Sequence, residues 1–296
     1  MRGTMNRKLV KHGPASTIIS LPAQWVQDHK LVAGDTVQLI PDGDKLVVTP
    51  TTVVHDSETT LTVDGLDRTG MKLLIRSAYR QGYAKIVIRY TTPTVPHFRK
   101  NEDVPVARAV LAEVQLLIGM EVTEQREGHI VIQEMTKPFA DDFPNLYRKV
   151  FTMVKQFILF LADESDDNHL DVDSRHDLIM KIISYAMRII NLGEANLDSK
   201  EKHRMSHTFL LLGITIDMCK YYARSRVGKK ISPVEKTFIH GLAELFTAVE
   251  SCVFSKTPKT MFVFEKQKQA LREKPIDRLV PITDVLTDLM VLYVYY

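Results

Sequence analysis

The spacing of apolar residues changes period once along this chain, and that change limits what it can fold into. From Asp142 onward the recurrence is helical. Leu146, Val150, Met153, Val154, Phe157 and Leu161 form one stripe, and Leu178, Ile179, Ile182, Ile183, Ala186 and Ile190 form the next. Met205, Phe209, Leu212, Ile216 and Cys219 form a third, each stripe being the apolar face of one helix. A fourth helix opens at Ser232-Pro233-Val234-Glu235, a capping-box pattern with proline at the first helical position, and continues through Phe238, Leu242, Leu245, Phe246 and Val249. Two more are expected over residues 259–274 and 277–294. Short connections between such helices predict an up-and-down, all-α bundle over residues 140–296.

Upstream the runs are short and strand-like. Residues 58–136 begin with a strand around Thr60 to Val63 and a helix from Asp67, with Met71, Leu74, Ile75 and Ala78 on one face and Gly82 as its C-terminal cap. The buried-looking strand Lys85-Ile86-Val87-Ile88 follows. A second helix carries Ala107, Val110, Leu111, Val114, Leu117 and Ile118 and stops at Gly119. A hairpin then turns at Glu127-Gly128 into His129-Ile130-Val131-Ile132. The order β-α-β-α-β-β predicts a small α/β layer, with no phosphate loop or dinucleotide fingerprint in it.

Residues 1–52 read as four short strands around one short helix. Lys8 to Lys11 and Thr17 to Ser20 are separated by Gly13-Pro14, and Leu21-Pro22 opens a helical turn that holds Trp25 and Val26. Thr36 to Ile40 and Lys45 to Thr49 are joined across Asp42-Gly43, a strong hairpin signal. Trp25 reads as core rather than as a platform for stacking a base. A unit of about fifty residues encloses too little core to stand alone without a metal, disulfides or a partner. Dimerisation through this segment is the physical expectation, and the whole reads as a multi-domain α+β chain.

Composition excludes several classes. Of 296 residues, 45% are hydrophobic and 25% charged, which rules out a disordered or low-complexity chain. Two cysteines, Cys219 and Cys252, cannot make a disulfide framework or a thiolate zinc site and suit a reducing compartment. The run Met1 to Lys8 lacks the apolar stretch of a signal peptide, and Phe209 to Cys219 is short and interrupted by Asp217, so a cytoplasmic protein without membrane insertion is expected. The net charge of +3 gives no argument for nucleic acid as a whole. Its distribution does. Residues 1–12 carry Arg2, Arg7, Lys8 and Lys11 with no acid, followed by His12. Residues 163–177 reverse the sign, with Asp163, Glu164, Asp166, Asp167, Asp171, Asp173 and Asp177 against Arg175 alone. Residues 200–230 reverse it again, with eight Lys or Arg against Glu201 and Asp217.

Each biased segment has a functional and an ordinary reading. The basic head can neutralise DNA phosphates, releasing condensed counterions, or it can be a solvated terminus. Asp173 and Asp177, spaced i, i+4, lie on one helix face and with Asp217 from a neighbouring helix can hold a hard cation, divalent or ferric. A helix start that favours acids explains Asp173 equally. His203 and His207 share that spacing but lack the glutamate of a zinc-protease helix. Lys220, Arg224, Arg226, Lys229 and Lys230 offset a helix dipole, or extend a DNA surface, or receive an acidic partner. Gly228-Lys229-Lys230 is not a nucleotide loop, and no nucleophile elbow or Cys/His dyad is present, so no enzyme is expected.

The run Arg7-Lys8-Leu9-Val10-Lys11, then Ser16-Thr17-Ile18-Ile19-Ser20-Leu21-Pro22-Ala23-Gln24-Trp25-Val26, then Leu31 and Gly34-Asp35-Thr36-Val37, resembles the swapped-hairpin AbrB/SpoVT (MazE-like) DNA-binding domain. The resemblance implies that two chains exchange hairpins into one β-barrel, with Arg2, Arg7, Lys8, Lys11 and His12 toward DNA. The remainder, with Ala78-Tyr79-Arg80-Gln81-Gly82-Tyr83 and Leu117-Ile118-Gly119-Met120-Glu121-Val122 ahead of a bundle, resembles PhoU-like phosphate uptake regulators carrying an N-terminal AbrB-type domain. Such bundles bind metal through Glu/Asp-x-x-x-Asp motifs. Asp173-Ser174-Arg175-His176-Asp177 keeps both acids, whereas Gly213-Ile214-Thr215-Ile216-Asp217 keeps only the second. The function implied is a homodimeric DNA-binding transcriptional regulator linked to phosphate uptake or homeostasis. The alternative is an adaptor that controls a phosphate transporter or signalling kinase by protein contact, its N-terminal domain only dimerising. An antitoxin is disfavoured by the long folded remainder.

Overall fold

The computed structural model describes residues 5–50, 57–139, 143–162, 168–195, 197–255 and 258–294. Arg2 and the acids 163, 164, 166 and 167 lie outside the described residues. The chain is mixed α+β and divides into two compact units, Met1–Val54 and His55–Tyr296.

The first unit is two hairpins flanking a short helix. β1 (Val10–His12) pairs antiparallel with β2 (Ser16–Ile18) around Gly13, whose φ of 74° suits a residue without a Cβ. α1 (Ala23–Asp28) follows Pro22 and sets Trp25 half-buried, its ring 4.5 Å from that of His29. β3 (Val37–Asp42) and β4 (Lys45–Pro50) form the second ladder, turning at the expected Gly43. The two ladders are separate, and no closed barrel is present among the described residues of one chain. None of residues 5–50 is buried.

The second unit encloses two cores. β5 (Glu58–Thr62), β6 (Lys85–Arg89), β9 (Met120–Arg126) and β10 (His129–Glu134) make a mixed sheet in the order β5-β6-β10-β9, with β5 and β6 parallel across the crossover helix α2 (Arg68–Arg80). Ile86 and Ile88 of β6 and Ile130 and Ile132 of β10 close a core with Met71, Ile75 and Tyr79 of α2 and Val106 and Val110 of α3 (Val106–Val114). Glu113 of α3, fully buried, is ion-paired to Lys72 at 2.9 Å and to Arg76 at 2.7 Å on α2. Between β6 and α3 the chain makes an unexpected hairpin, β7 (Thr94–His97) with β8 (Glu102–Pro105). The second helix is also shorter than its apolar pattern implied, ending at Val114 before Gly119 takes a φ of 82°. A Cβ there would lie 2.6 Å from the Thr136 carbonyl oxygen.

The bundle comprises α4 (Phe143–Phe160), α5 (Asn168–Leu192), α6 (Ser199–Arg224), α7 (Pro233–Ser255), α8 (Pro258–Glu273) and α9 (Val280–Val294). Their apolar stripes meet in one core that includes Phe151, Phe157, Ile183, Phe209, Leu242 and Phe246. The predicted capping box forms: Ser232 N–H donates to Glu235 Oε2 at 2.9 Å, and Glu235 N–H to Ser232 Oγ at 3.2 Å. α7 is long and apolar enough to cross a membrane, but 56% of its apolar stretch is buried among the other helices.

The layer and the bundle are joined along α2 and α5. Arg188 of α5 is 1% exposed. It donates to the carbonyl oxygens of Tyr79 (2.7 Å) and Tyr83 (3.1 Å) and to Glu134 Oε1 (2.7 Å), with its guanidinium 4.8 Å from the Tyr79 ring centre. Arg80 reaches Ser184 Oγ from two nitrogens at 3.1 and 3.2 Å, and Asn191 donates to the Arg80 carbonyl at 2.7 Å.

Candidate functional site

The basic head lies on a surface rather than in a pocket. Lys11 and His12 are in β1, and Arg7 and Lys8 lead into it; all four are exposed. Register places Val10 opposite Ile18, Lys11 opposite Thr17 and His12 opposite Ser16. Side chains alternate along a strand, so Val10 and His12 share one face and Lys11 takes the other. The Ser16 hydroxyl donates to the His12 carbonyl and tightens the turn.

Exposed apolar residues accompany these charges. Val10 is 54% and Ile18 50% exposed although they are cross-strand neighbours. In the second ladder Leu39, Pro41, Leu46 and Val48 lie on one face and Ile40 and Val47 on the other. Leu39 is 57% and Leu46 56% exposed on the first face, and Ile40 is 39% and Val47 38% exposed on the second, so both faces of this ribbon present hydrocarbon to solvent.

The structure divides the three acids expected to hold a cation. Asp173 leaves the group, its carboxylate 2.5 Å from Arg224 Nη2. Asp177 and Asp217 do converge, on His176, which the sequence did not single out as a ligand. His176 is nearly buried, with Nδ1 2.9 Å from Asp177 Oδ1 and Nε2 2.8 Å from Asp217 Oδ1. Lys220 Nζ completes the cluster, 3.4 Å from Asp217 Oδ1 and 2.9 and 3.0 Å from the ring nitrogens. The place of a metal cation is therefore taken by an ammonium, and these residues do not fit the metal-binding motif that the PhoU resemblance implies. Among the described residues no group of three or more His, Cys, Asp or Glu is placed to hold a metal ion.

Burial pushes the Asp177 and Asp217 carboxyls up, but the hydrogen bond to His176 and the charges of His176 and Lys220 outweigh it, so both end below the ordinary carboxylate value. The Lys220 ammonium is held below its usual value because burial exceeds the help of the two carboxylates.

The basic end of α6 is largely consumed in the same way. Arg224 holds Asp173, Lys220 faces Asp217, and Arg226 is ion-paired to Glu235. Burial raises the Glu235 carboxyl, yet hydrogen bonds from Ser232 and Arg226 bring it down to about 2. Lys229 and Lys230 are exposed. His203 and His207 stack, ring centres 4.6 Å apart, with His207 Nδ1 2.9 Å from the His203 carbonyl oxygen. Cys219 is buried, and burial pushes its thiol up to about 12, away from the thiolate. Compared with known families, curated proteins and solved structures, the chain finds no match.

Proposed function

We propose that the protein is a homodimeric, cytoplasmic, DNA-binding transcriptional regulator linked to phosphate uptake or homeostasis, with two N-terminal units exchanging hairpins into one β-barrel that grips the duplex. The observation that supports this most is the first unit's lack of any buried residue while Leu9, Val10, Ile18, Val32, Leu39 and Leu46 are at least half exposed. A chain cannot offset the entropy of ordering such a unit without removing that surface from water. A second copy supplies the missing cover, and a ribbon that is apolar on both faces suits intercalation better than one-sided docking.

Dimerisation also gives the basic head its meaning. Arg7, Lys8, Lys11 and His12 of each chain meet on one small body, doubling a cationic surface that carries no acid in the first twelve residues. Such charges supply sequence-independent affinity that falls with salt. The connection to phosphate comes from the resemblance of the second unit to PhoU-like regulators.

Binding of the full-length protein to promoter DNA across a salt series tests the reading. Removing Arg7 and Lys8 from both chains takes away about four phosphate contacts, so Arg7→Ala/Lys8→Ala should flatten the slope of log affinity against log salt by about 3 to 4. An unchanged slope and affinity would take these residues off the interface. Capture of phosphate-transporter components from nuclease-treated extract by a protein that binds no DNA would favour the adaptor instead.

A further inference from the structure

The second unit holds a concentration of cations that its own acids do not neutralise. The unexpected β7–β8 hairpin, the start of α2 and the first turn of α3 enclose an open cavity of about 490 Å³, into which Arg68, Arg99, Lys100 and Arg108 project. The placement is local and specific. Arg68 is the first residue of α2, directly after Asp67, whose carboxylate caps the helix by accepting from the N–H groups of Thr69 (3.3 Å) and Gly70 (2.8 Å). Arg108 lies in the first turn of α3. Arg99 and Lys100 ride the hairpin turn, fixed by Lys100 N–H donating to the His97 carbonyl at 3.0 Å and by Asn101 adopting a φ of 51°.

Two carboxylates border the cavity, and each lies against a cation other than the three arginines. Glu102 lies 3.6 Å from His97 and 3.9 Å from Lys100, and Asp173 is held by Arg224 at 2.5 Å. Arg68, Arg99 and Arg108 have no carboxylate partner among the described residues. Arg76, Arg175, Arg188, Arg224, Arg226 and Arg272 of the same unit are ion-paired while others such as Arg80 and Arg89 are not, among the described residues, and what distinguishes Arg68, Arg99 and Arg108 is that they line one cavity together. Three unpaired guanidinium groups around one cavity repel one another unless an anion lies between them.

The chemistry narrows the anion. Guanidinium forks match phosphate and carboxylate oxygens in pairs. The volume is in the range of small-molecule sites and exceeds what one tetrahedral oxyanion fills. The remaining wall is Val104, Ala109, Ala112 and His97, which is only 6% exposed, with no Phe, Tyr or Trp on which a nucleobase would stack. We propose that this cavity binds a small condensed phosphate, pyrophosphate or a short polyphosphate, with Arg68, Arg99 and Arg108 as its anchors. The site lies wholly within the second unit and stands independently of DNA binding by the first.

Titration calorimetry on the full-length protein at low salt tests this with pyrophosphate, tripolyphosphate, orthophosphate, citrate and ATP as probes. One saturable pyrophosphate site per chain is expected, with orthophosphate and citrate at least about tenfold weaker. Arg99 and Arg108 are exposed, so Arg99→Gln/Arg108→Gln should keep the helical circular dichroism and weaken pyrophosphate about tenfold or more. Arg126→Gln, on exposed β9, should leave binding unchanged, as should Arg7→Ala/Lys8→Ala. Absence of saturable heat, equal binding of citrate, or an unaltered affinity in Arg99→Gln/Arg108→Gln overturns the proposal. Tighter binding of ATP than of tripolyphosphate overturns the choice of a condensed phosphate. Displacement of pyrophosphate by duplex DNA, persisting in Arg7→Ala/Lys8→Ala, overturns the small-molecule assignment and gives the cavity to DNA.

Discussion

The two units use similar apolar residues to opposite ends. In the first, Leu39 is 57% exposed and no described residue is buried; in the second, Ile86, Phe151, Leu242 and many others are fully enclosed. Hydrophobic content therefore does not distinguish them. Enclosure does, because stabilisation scales with the apolar area removed from water rather than with the number of apolar side chains. The second unit even buries charge, since Arg188, Glu113 and Glu134 find partners inside it. A unit that encloses its own core is stable at any concentration, whereas one that leaves its core open is stable only to the extent that a partner closes it.

The strongest way to break the contrast is to spoil the lock that makes the second unit self-sufficient. Arg188→Ala leaves Glu134 with an unpaired buried charge and takes the donor from the Tyr79 and Tyr83 carbonyls. Its cost should be about 3 to 5 kcal/mol, read from urea unfolding followed by helical circular dichroism. Arg188→Met/Glu134→Gln should recover a good part of that loss, because it removes the orphaned charge while filling the space. A cost under about 1 kcal/mol for Arg188→Ala would mean that the lock is ornamental.

How much of this was legible follows from which signals are local. The bundle could be read because α4 to α9 carry their 3.6-residue stripes within themselves, and the Ser232–Glu235 cap needs only three residues' separation. The β7–β8 hairpin could not, since Pro93, Pro96 and Pro105 and the charged run at 99–103 disguise its alternation. Asp173 and Asp177 do share a face of α5, as their spacing requires. Spacing within one helix is silent on the neighbour, however. On antiparallel helices a step up α5 is a step down α6, so Asp173 meets Arg224 while Asp177 looks toward Asp217 and Lys220, with His176 between. The arginines of the basic cavity are scattered over residues 68 to 108, and only the missed hairpin brings them together.

A second test sharpens the contrast with two leucines that are equally exposed in one chain. Leu39 in the first unit is 57% and Leu73 in the second is 59% exposed. If a second copy covers the first unit, Leu39→Asp places a charge in that interface and should raise the dimer dissociation constant about tenfold or more, about 1.4 kcal/mol. Leu73→Asp, on the solvent side of α2, should change stability by less than about 0.5 kcal/mol and leave association alone. Sedimentation equilibrium measures the first effect directly. Trp25, the only tryptophan, gives an independent view: its fluorescence transition in urea should move to higher denaturant as protein concentration rises. Identical behaviour of the two leucine variants would show that the first unit's apolar surface is not an interface.

The smallest effect expected concerns the cluster of Asp177, Asp217 and Lys220 around His176. Asp177 and Asp217 are each about half exposed, at 49% and 45%, so solvent screens their pairing with His176 and Lys220 and limits it to about 1 kcal/mol. Its sign with pH is fixed by the direction of the shifts. Both carboxyls sit below their ordinary value of 3.8 in the folded chain, so their stabilisation is present above that value and is lost as pH falls through the folded values. At neutral pH Asp177→Asn/Asp217→Asn should therefore be less stable than the parent. On acidification the parent loses what the variant never had, and the two unfolding curves should converge once the pH has fallen through the folded carboxyl values. Glu235, brought down from 4.5 to about 2, adds its own acid-side loss to both proteins alike and so drops out of the comparison. A gap that stays constant from neutral to acid pH would mean that the amide variants act through packing and not through the charges gathered around His176.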